Sequence, residues 1–268
     1  YQSIWTGFEG AVRRFAEKHP ERDEKQIGSL PAFRATPGGW RLLRKGFADL
    51  EERFDTEMYF QFCISAFFHG MRGRPTEPVT MLDVVKVLAE DFGSINDFHG
   101  GGPKYDAMAA ACRAVGCEWG EPMMYQYENL LWSTFRIRPG AEALRERWQR
   151  ARANRSTLIQ FTTWNDYTEH TNLAPSTHMR YALLDLTRYF TDWWKTGTPP
   201  EPDHDRVYVF YPAYAHGQAT HPFGSRSRWR NVKHLNVLEV MTILPAPAVV
   251  RLPGRERTWQ APAGLSFR

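Results

Sequence analysis

Two carboxylates that stand three residues apart, Asp166 and Glu169, suggest the clearest chemistry in this sequence. Hydrolysis of a glycosidic bond needs a carboxylic acid that protonates the leaving oxygen and a second carboxylate that attacks the sugar or activates water. Neighbouring carboxyl groups differ in how readily they ionise, so one of them can stay protonated near neutral pH. A simpler interpretation of the spacing is that Asp166 caps the following segment and Glu169 is a solvated loop acid.

The residues around this pair favour a sugar as the ligand. Trp164 and Tyr167 offer flat rings that can stack on the apolar face of a pyranose, and Asn165 can hydrogen-bond a sugar hydroxyl or hold Asp166. His170 is a further candidate for contact with the sugar. His170 and His178 flank the loop and could bind a metal with the two acids, but their spacing matches no motif of metal ligands, so we expect neither a metal nor an organic cofactor.

The stretch before the acids predicts the element that positions them. Leu158, Ile159, Phe161 and Thr162 are apolar or β-branched and show no helical spacing, which predicts a buried strand. Polar and aromatic residues follow at once from residue 164. A strand that fills a core and then opens into reactive side chains is typical of the catalytic end of a parallel α/β barrel.

The run Thr-Trp-Asn-Asp-Tyr-Thr-Glu at residues 163–169 resembles the T-W-N-D-[YW]-x-E signature of glycoside hydrolase family 71, the endo-acting α-1,3-glucanases. Residues 168–170 read Thr-Glu-His in this sequence, where the family usually has Gly-Glu-Ser. A related pattern, W-N-E-W-x-E-G, marks endomannanase-like and polysaccharide-biosynthesis barrels. Asp166 and Tyr167 favour the glucanases over that group.

The resemblance is strong from about residue 140 to 265, and it implies an architecture. Residues 1–202 would be the C-terminal half of a (β/α)8 TIM barrel, and residues 203–268 would be part of a β-sandwich domain. Asp166 and Glu169 would be the catalytic pair of an enzyme that inverts the anomeric configuration. We therefore expect a piece of a longer, secreted or cell-surface protein that acts on a polysaccharide or oligosaccharide as a monomer.

Residues near the ends of other predicted strands extend the candidate site. We predict a strand over residues 120–128, next to the strand before Asp166, and earlier strands at 1–7 and 26–34. The candidate sugar-contacting residues near their ends are Tyr125, Tyr127, Glu128, Trp132, Trp5 and Arg34. Glu128 is the alternative acid, although a solvated loop residue is an equally good interpretation. For Arg34 a structural ion pair is the simpler interpretation.

Hydrophobic periodicity divides the rest of the chain between helices and strands. Apolar residues with helical spacing predict helices near residues 11–19, 40–54, 81–92, 105–115, 139–153 and 177–194. The last of them would turn five residues inward: Leu183, Leu186, Tyr189, Phe190 and Trp193. From residue 205, alternation predicts strands at 207–211, 236–243 and 248–252. Residues 57–69 fit neither type, since the run is long for a strand and rich in aromatic residues for a helix.

Composition narrows the classes of function. The 268 residues are 42% hydrophobic, enough for a large core, and the 14% aromatic share fits both an aromatic core and a sugar-binding cleft. The net charge of +4 comes from interleaved basic and acidic residues, which argues against nucleic-acid binding. No apolar run approaches the roughly 20 residues that span a bilayer, so we expect no membrane segment. Three widely spaced cysteines predict buried thiols, although Cys112 and Cys117 could pair in an oxidising compartment.

Two other functions fit the same residues. A carbohydrate-binding protein without catalysis would use the aromatic residues and the C-terminal strands alone. A related barrel glycosidase would act on mannan or on a surface polysaccharide instead of α-1,3-glucan. A protein that binds polysaccharide without releasing reducing ends would be the carbohydrate-binding protein and not an enzyme. A panel of substrates would distinguish the mannan-cleaving barrel from an α-1,3-glucanase.

Overall fold

The computed structural model of the chain describes residues 37–63, 81–90, 92–98, 103–129, 134–137, 140–211, 237–254 and 256–268. These residues divide into two compact units. The first holds the described residues up to 121 together with 156–158, and the second holds 122–155 and the described residues from 159 onward. The predicted boundary between residues 202 and 203 stays a prediction.

Helices and strands alternate along much of the described chain. In chain order the elements are α1 (Pro37–Phe54), β1 (Gln61–Cys63), α2 (Met81–Leu88), β2 (Ser94–Asn96), α3 (Pro103–Val115), β3 (Glu118–Met123), β4 (Tyr127–Asn129), β5 (Thr134–Ile137), α4 (Ala141–Ala153), β6 (Leu158–Phe161), α5 (Ala182–Thr196), β7 (Arg206–Phe210), β8 (Glu239–Leu244), β9 (Ala248–Leu252), β10 (Arg257–Ala261) and β11 (Gly264–Phe267). The helices predicted near residues 40–54, 105–115 and 139–153 are confirmed within a few residues.

A four-stranded sheet has the order β1-β2-β3-β6. β1 pairs in parallel with β2, and β2 pairs in parallel with β3, so Phe62 lies opposite Ile95 and Ile95 lies opposite Trp119. Parallel neighbours need a crossover, and in sequence α2 lies between β1 and β2 and α3 between β2 and β3. The α/β class predicted from the sequence is therefore confirmed.

The core of the first unit forms where one face of these strands meets the helices. Phe62, Ile95 and Trp119 belong to this core, and they share a face because successive side chains in a strand point to opposite sides. Buried residues of α2 and α3 complete it: Val85, Leu88, Tyr105, Met108, Ala109 and Cys112. Cys112 and Cys117 are both buried free thiols, as the sequence predicted, whereas the free thiol of Cys63 is only half-buried.

The core of the second unit forms around a stack of aromatic rings on α4 and α5. Trp148 stacks on Phe190 with ring centroids 5.9 Å apart, and Phe190 stacks on Trp193 at 6.1 Å. The inward face predicted for the last helix is confirmed for Leu183, Leu186, Tyr189 and Phe190, which are buried, and Trp193 packs against the same core. α5 ends at Gly197, whose left-handed φ of 77° favours glycine.

The C-terminal strands form two antiparallel sheets. One has the order β11-β8-β7, and the other pairs β9 with β10. Met241 and Ile243 of β8 are buried in the same core as α4 and α5. The strands predicted at 207–211, 236–243 and 248–252 are confirmed within a few residues. β10 was not predicted, because most of its side chains are exposed and the hydrophobic alternation is weak.

Two carboxylates connect these strands to the helices. Glu239 Oε2 on β8 accepts the backbone N–H of Ala141 at 2.8 Å and that of Glu142 at 3.4 Å, so a strand residue caps the start of α4. Gly140 before the helix has a φ of 129°, which L side chains rarely adopt, and a Cβ atom there would also lie 2.6 Å from the same oxygen, so this position favours glycine. Asp185 on α5 accepts a hydrogen bond from the Tyr208 hydroxyl of β7.

Two predicted elements are wrong in extent. The strand predicted over residues 120–128 ends at Met123, and Tyr127 begins a separate antiparallel hairpin with β5. Residue types that suit a strand continue through both segments, so the sequence does not show the break between them. The helix predicted from residue 177 begins at Ala182, because Ser176 and Arg180 first close a turn.

The remaining differences concern short or undescribed segments. α2 stops at Leu88 instead of continuing to residue 92. The unassigned run at 57–69 contains β1, and β2 was not predicted because a strand of three residues leaves almost no periodic signal. The helix predicted at 11–19 and the strands predicted at 1–7 and 26–34 lie outside the described residues.

Candidate functional site

Strand β6 delivers the loop that carries the two candidate acids. It occupies Leu158–Phe161, next to β3 in the sheet, and the backbone N–H of Thr162 donates to the Met123 carbonyl at 3.0 Å. Its four residues are half-buried, whereas the sequence predicted a buried strand. Within the described residues β3 is its neighbour in the sheet, which leaves β6 at an edge.

A chain of local caps shapes the loop after β6. Thr163 Oγ1 accepts the backbone N–H of Asp166 at 3.1 Å, and Asp166 Oδ1 accepts the backbone N–H of Glu169 at 3.1 Å. Threonine and aspartate form such turns because their short side chains reach backbone donors nearby in sequence. The cap that the simpler interpretation assigned to Asp166 is therefore present. The other carboxyl oxygen of Asp166 makes no hydrogen bond within the described part of the chain.

The loop folds back and closes on its own first residues. The Thr163 N–H donates to the Thr171 carbonyl at 3.0 Å, and the Leu173 N–H donates to the Thr163 carbonyl at 3.0 Å. A hydrogen bond of 2.9 Å also joins the hydroxyls of Thr163 and Thr171. Buried Asn172 donates from Nδ2 to the Ala174 carbonyl at 2.8 Å. Thr171 and Asn172 were not predicted to shape the site, and their only sequence signal is a pair of turn-forming residues before Leu-Ala-Pro.

The two candidate acids are buried to a similar degree on this loop. Asp166 and Glu169 are both half-buried. The hydroxyl of Tyr127, from β4, donates to Glu169 Oε1 at 3.0 Å. Glu169 is thus held through its backbone by Asp166 and through its carboxylate by Tyr127.

The loop also presents two aromatic rings to solvent. Trp164 is 59% exposed and Tyr167 is 49% exposed, although the Tyr167 hydroxyl donates to the Pro175 carbonyl at 3.2 Å. Asn165 between them is exposed as well. Exposed rings on a loop that is fixed by its own hydrogen bonds can bind an apolar ligand face without a large loss of conformational entropy.

Tyr125 is wrong as a predicted sugar platform. Its side chain is only 6% exposed and belongs to the hydrophobic core. Trp148 Nε1 donates to its hydroxyl at 3.2 Å, and a hydrogen bond of 3.0 Å joins that hydroxyl to Thr187 Oγ1. Burial raises the pKa of the Tyr125 phenol.

Tyr127, predicted only as a candidate contact to the sugar, is also buried: its side chain is 2% exposed and offers no ring face to a ligand. The burial of both tyrosines has one cause. The strand predicted over residues 120–128 ends at Met123, so the alternation that should have aimed these rings at a cleft does not hold beyond it.

The other predicted site residues fall into two groups. His170 is half-buried with a left-handed φ of 52°, and its backbone N–H donates to the Tyr167 carbonyl at 3.3 Å. Trp5, Arg34, Trp132 and the side chain of Glu128 lie outside the described residues. No group of three or more His, Cys, Asp or Glu side chains within the described ranges could hold a metal ion. In the same ranges no helix combines the length and the apolar character needed to cross a bilayer.

The chain matches no protein-family model, and no curated protein matches it at a significant level. What the site can do therefore follows from its own geometry. Two half-buried carboxylates on one short loop can exchange protons with a bound ligand. The exposed rings of Trp164 and Tyr167 on that loop can hold the apolar face of the ligand.

Proposed function

We propose that the protein is a glycoside hydrolase that cleaves α-1,3-glucan by carboxylate acid/base catalysis. One observation supports this most directly. The loop after β6 carries two half-buried acids, Asp166 and Glu169, on the same turn as the exposed rings of Trp164 and Tyr167. The resemblance of residues 163–169 to the signature of glycoside hydrolase family 71 supplies the substrate class.

The proposed reaction inverts the anomeric configuration. One carboxyl group protonates the glycosidic oxygen as its bond to the anomeric carbon breaks, and the other takes a proton from the water that attacks the opposite face of the sugar. Such a mechanism requires carboxyl groups roughly 6.5–9.5 Å apart when substrate is bound. It uses no metal and no organic cofactor.

The proposal includes a larger architecture. The parallel strands would be part of a (β/α)8 barrel whose catalytic end includes the loop after β6, since the carboxyl ends of barrel strands carry the reactive groups. The two antiparallel sheets at the C-terminus would belong to a β-sandwich domain. A polysaccharide substrate implies a secreted or cell-surface protein that acts as a monomer.

The test measures reducing ends released from α-1,3-glucan by the full-length protein. Asp166→Asn and Glu169→Gln should each lower turnover by about 10²- to 10⁴-fold, with unchanged thermal unfolding. The matched control is Asp192→Asn, which alters an exposed acid on α5 that forms a 4.0 Å ion pair with Arg188. NMR of the first product should show the β-anomer. Near-normal turnover in both loop variants would contradict the proposal.

A non-catalytic carbohydrate-binding protein is the second candidate, and one observation favours it. Asp166 Oδ1 already caps the turn, so the spacing of the two acids is explained by local structure alone. Such a protein would bind polysaccharide through Trp164 and Tyr167, with an affinity unchanged by Glu169→Gln and no reducing ends released.

A related barrel acting on mannan or another surface polysaccharide remains the third candidate. Activity measured on both α-1,3-glucan and β-mannan distinguishes this candidate from the proposed α-1,3-glucanase. Cleavage of mannan alone would change the proposed substrate, while Asp166 and Glu169 would still be the proposed catalytic pair.

A further inference from the structure

Tyr127 combines a buried ring with a hydroxyl that reaches a half-buried acid. Its side chain is almost fully buried, and its hydroxyl donates to Glu169 Oε1 at 3.0 Å across 42 residues of sequence. The backbone around it is fixed as well, because Tyr127 lies opposite Ile137 in the β4–β5 hairpin. A phenol held in this way can neither stack on a sugar nor rotate freely.

Glu169 is restrained at two points on different parts of the residue. Its backbone N–H donates to Asp166 Oδ1 at 3.1 Å, and its carboxylate accepts the hydroxyl of Tyr127. These two contacts therefore give the Glu169 carboxylate a defined orientation.

The neighbouring tyrosine shows that burial alone does not produce this contact. Tyr125 lies two residues earlier and is buried to a similar extent, but its hydroxyl bonds Trp148 and Thr187 in the helical core. Two phenols from one short segment thus have different partners. One of them belongs to the packing of α4 and α5, and the other to the loop that carries the acids.

We propose that Tyr127 is a positioning residue that orients the Glu169 carboxylate as the catalytic base. The proposal rests on the proposed hydrolase function. Glu169 would take a proton from water while the water oxygen bonds to the anomeric carbon. The glycosidic carbon–oxygen bond would break, its electron pair would pass to the leaving oxygen, and that oxygen would take the proton of the Asp166 carboxyl group.

The first test is Tyr127→Phe, which keeps the ring and removes the donor. We expect kcat to fall by about 10- to 100-fold, the change associated with a lost hydrogen bond to a charged group, while KM changes little. A fall in kcat without a change in KM is expected because the substrate contacts remain while the base loses its orientation.

The matched control is Tyr189→Phe. It removes a buried hydroxyl that has no hydrogen-bond partner within the described residues. Unchanged kcat and KM are expected for this control. A Tyr127→Phe variant with the control's kcat and KM would overturn the positioning role.

A second measurement does not depend on activity and separates the two proposals. The carbon-13 chemical shift of the Glu169 carboxyl group is compared at one pH in the full-length protein, in Tyr127→Phe and in Tyr189→Phe. A shift that changes in Tyr127→Phe but not in Tyr189→Phe supports the Tyr127 contact, even if Asp166→Asn keeps its turnover and the hydrolase proposal fails. An unchanged shift in Tyr127→Phe rejects the positioning role, even if Asp166→Asn and Glu169→Gln abolish hydrolysis.

A further variant keeps the test decisive if Tyr127→Phe does not fold. Replacement of Tyr127 by 3-fluorotyrosine retains the ring and the hydroxyl and makes the phenol a stronger donor. The carbon-13 chemical shift of the Glu169 carboxyl group should then change, because the hydrogen bond that the carboxylate accepts becomes stronger, while KM stays the same. An unchanged carboxyl shift would overturn the proposal.

Discussion

Two regions of the second unit contain the same aromatic residue types and place them in opposite surroundings. In the helical core, Trp148 is buried and stacks on Phe190. In the loop after β6, Trp164 and Tyr167 are exposed, and the loop is closed by hydrogen bonds among its own residues. A high aromatic content therefore has two origins here, one in packing and the other at a surface where a ligand can bind.

Carboxylates show the same contrast. Glu239 caps the start of α4 from a position 98 residues away from Ala141, which joins a strand to a helix. Asp166 caps a backbone N–H only three residues along the chain, which shapes a loop and connects nothing distant. The long-range cap by Glu239 stabilises the fold, whereas the local cap by Asp166 shapes the loop that exposes the candidate site residues.

Removal of a core ring should produce the largest loss of stability. Trp148→Ala is expected to lower the free energy of unfolding by about 3–5 kcal/mol, because it removes a buried ring and leaves a cavity. Trp164→Ala should lower it by less than about 0.5 kcal/mol, because the ring is mostly in solvent. Urea denaturation of both variants measures the difference, and equal losses would contradict the comparison.

Removal of the long-range cap should have the next largest effect. Glu239→Ala is expected to cost about 1–2 kcal/mol of unfolding free energy, since two backbone N–H groups at the start of α4 lose their acceptor. Glu146→Ala, an exposed glutamate on the same helix, serves as the control and should change stability by less than about 0.5 kcal/mol. Thermal and urea unfolding are the measurements. A loss at Glu239 no larger than at Glu146 would show that the cap contributes nothing to stability.

The buried phenol of Tyr125 should make the fold sensitive to alkali. Burial raises the pKa of Tyr125, so above about pH 10 the unfolded phenol loses its proton while the folded one keeps it. The folded state then binds more protons, and stability falls as pH rises, by up to about 1.4 kcal/mol per pH unit for this group.

Tyr125→Phe should cost about 1 kcal/mol at neutral pH through its lost hydrogen bonds. The same substitution should also make the free energy of unfolding fall less steeply as pH rises into the alkaline range. Tyr189→Phe, whose hydroxyl has no partner within the described residues, should be close to neutral at pH 7. Unfolding measured between pH 7 and pH 11 compares the three proteins, and an unchanged slope in Tyr125→Phe would refute the assignment.

The smallest expected effect is on ligand affinity. Trp164→Ala should weaken binding of α-1,3-gluco-oligosaccharides by about 3- to 10-fold, the range for loss of one aromatic stacking partner. Tyr211→Ala, which removes another exposed ring outside this loop, is the control and should leave affinity unchanged. Calorimetric titration measures both variants. Equal losses, or none at Trp164, would remove that ring from the proposed site.

Local sequence was enough to predict the elements with strong periodicity. The inward face of α5 follows from Leu183, Leu186 and Tyr189 at helical spacing, and the structure buries all three. The strand before Asp166 was predicted over residues 158–164, and β6 begins at the same residue and ends earlier, at Phe161. Such patterns succeed because a single element repeats its own geometry along the chain.

Contacts between different helices and strands could not be predicted from local sequence. Tyr125 and Tyr127 look alike in the sequence, yet one bonds Trp148 and the other bonds Glu169. The break after Met123 also escaped prediction, because strand-forming residue types continue across it. The partner of each hydroxyl depends on elements tens of residues away, which no short window contains.

The sequence by itself determined the local turn of the candidate site, since Thr163, Asp166 and Glu169 stand at the three-residue spacing at which one side chain caps the next backbone N–H. Only the tertiary structure decided which aromatic rings became core and which stayed exposed, and which phenol met the carboxylate of Glu169. The physical reason is the distance along the chain between the interacting residues. A cap needs only the backbone within three residues, whereas burial and the Tyr127 contact require separate elements to fold against one another.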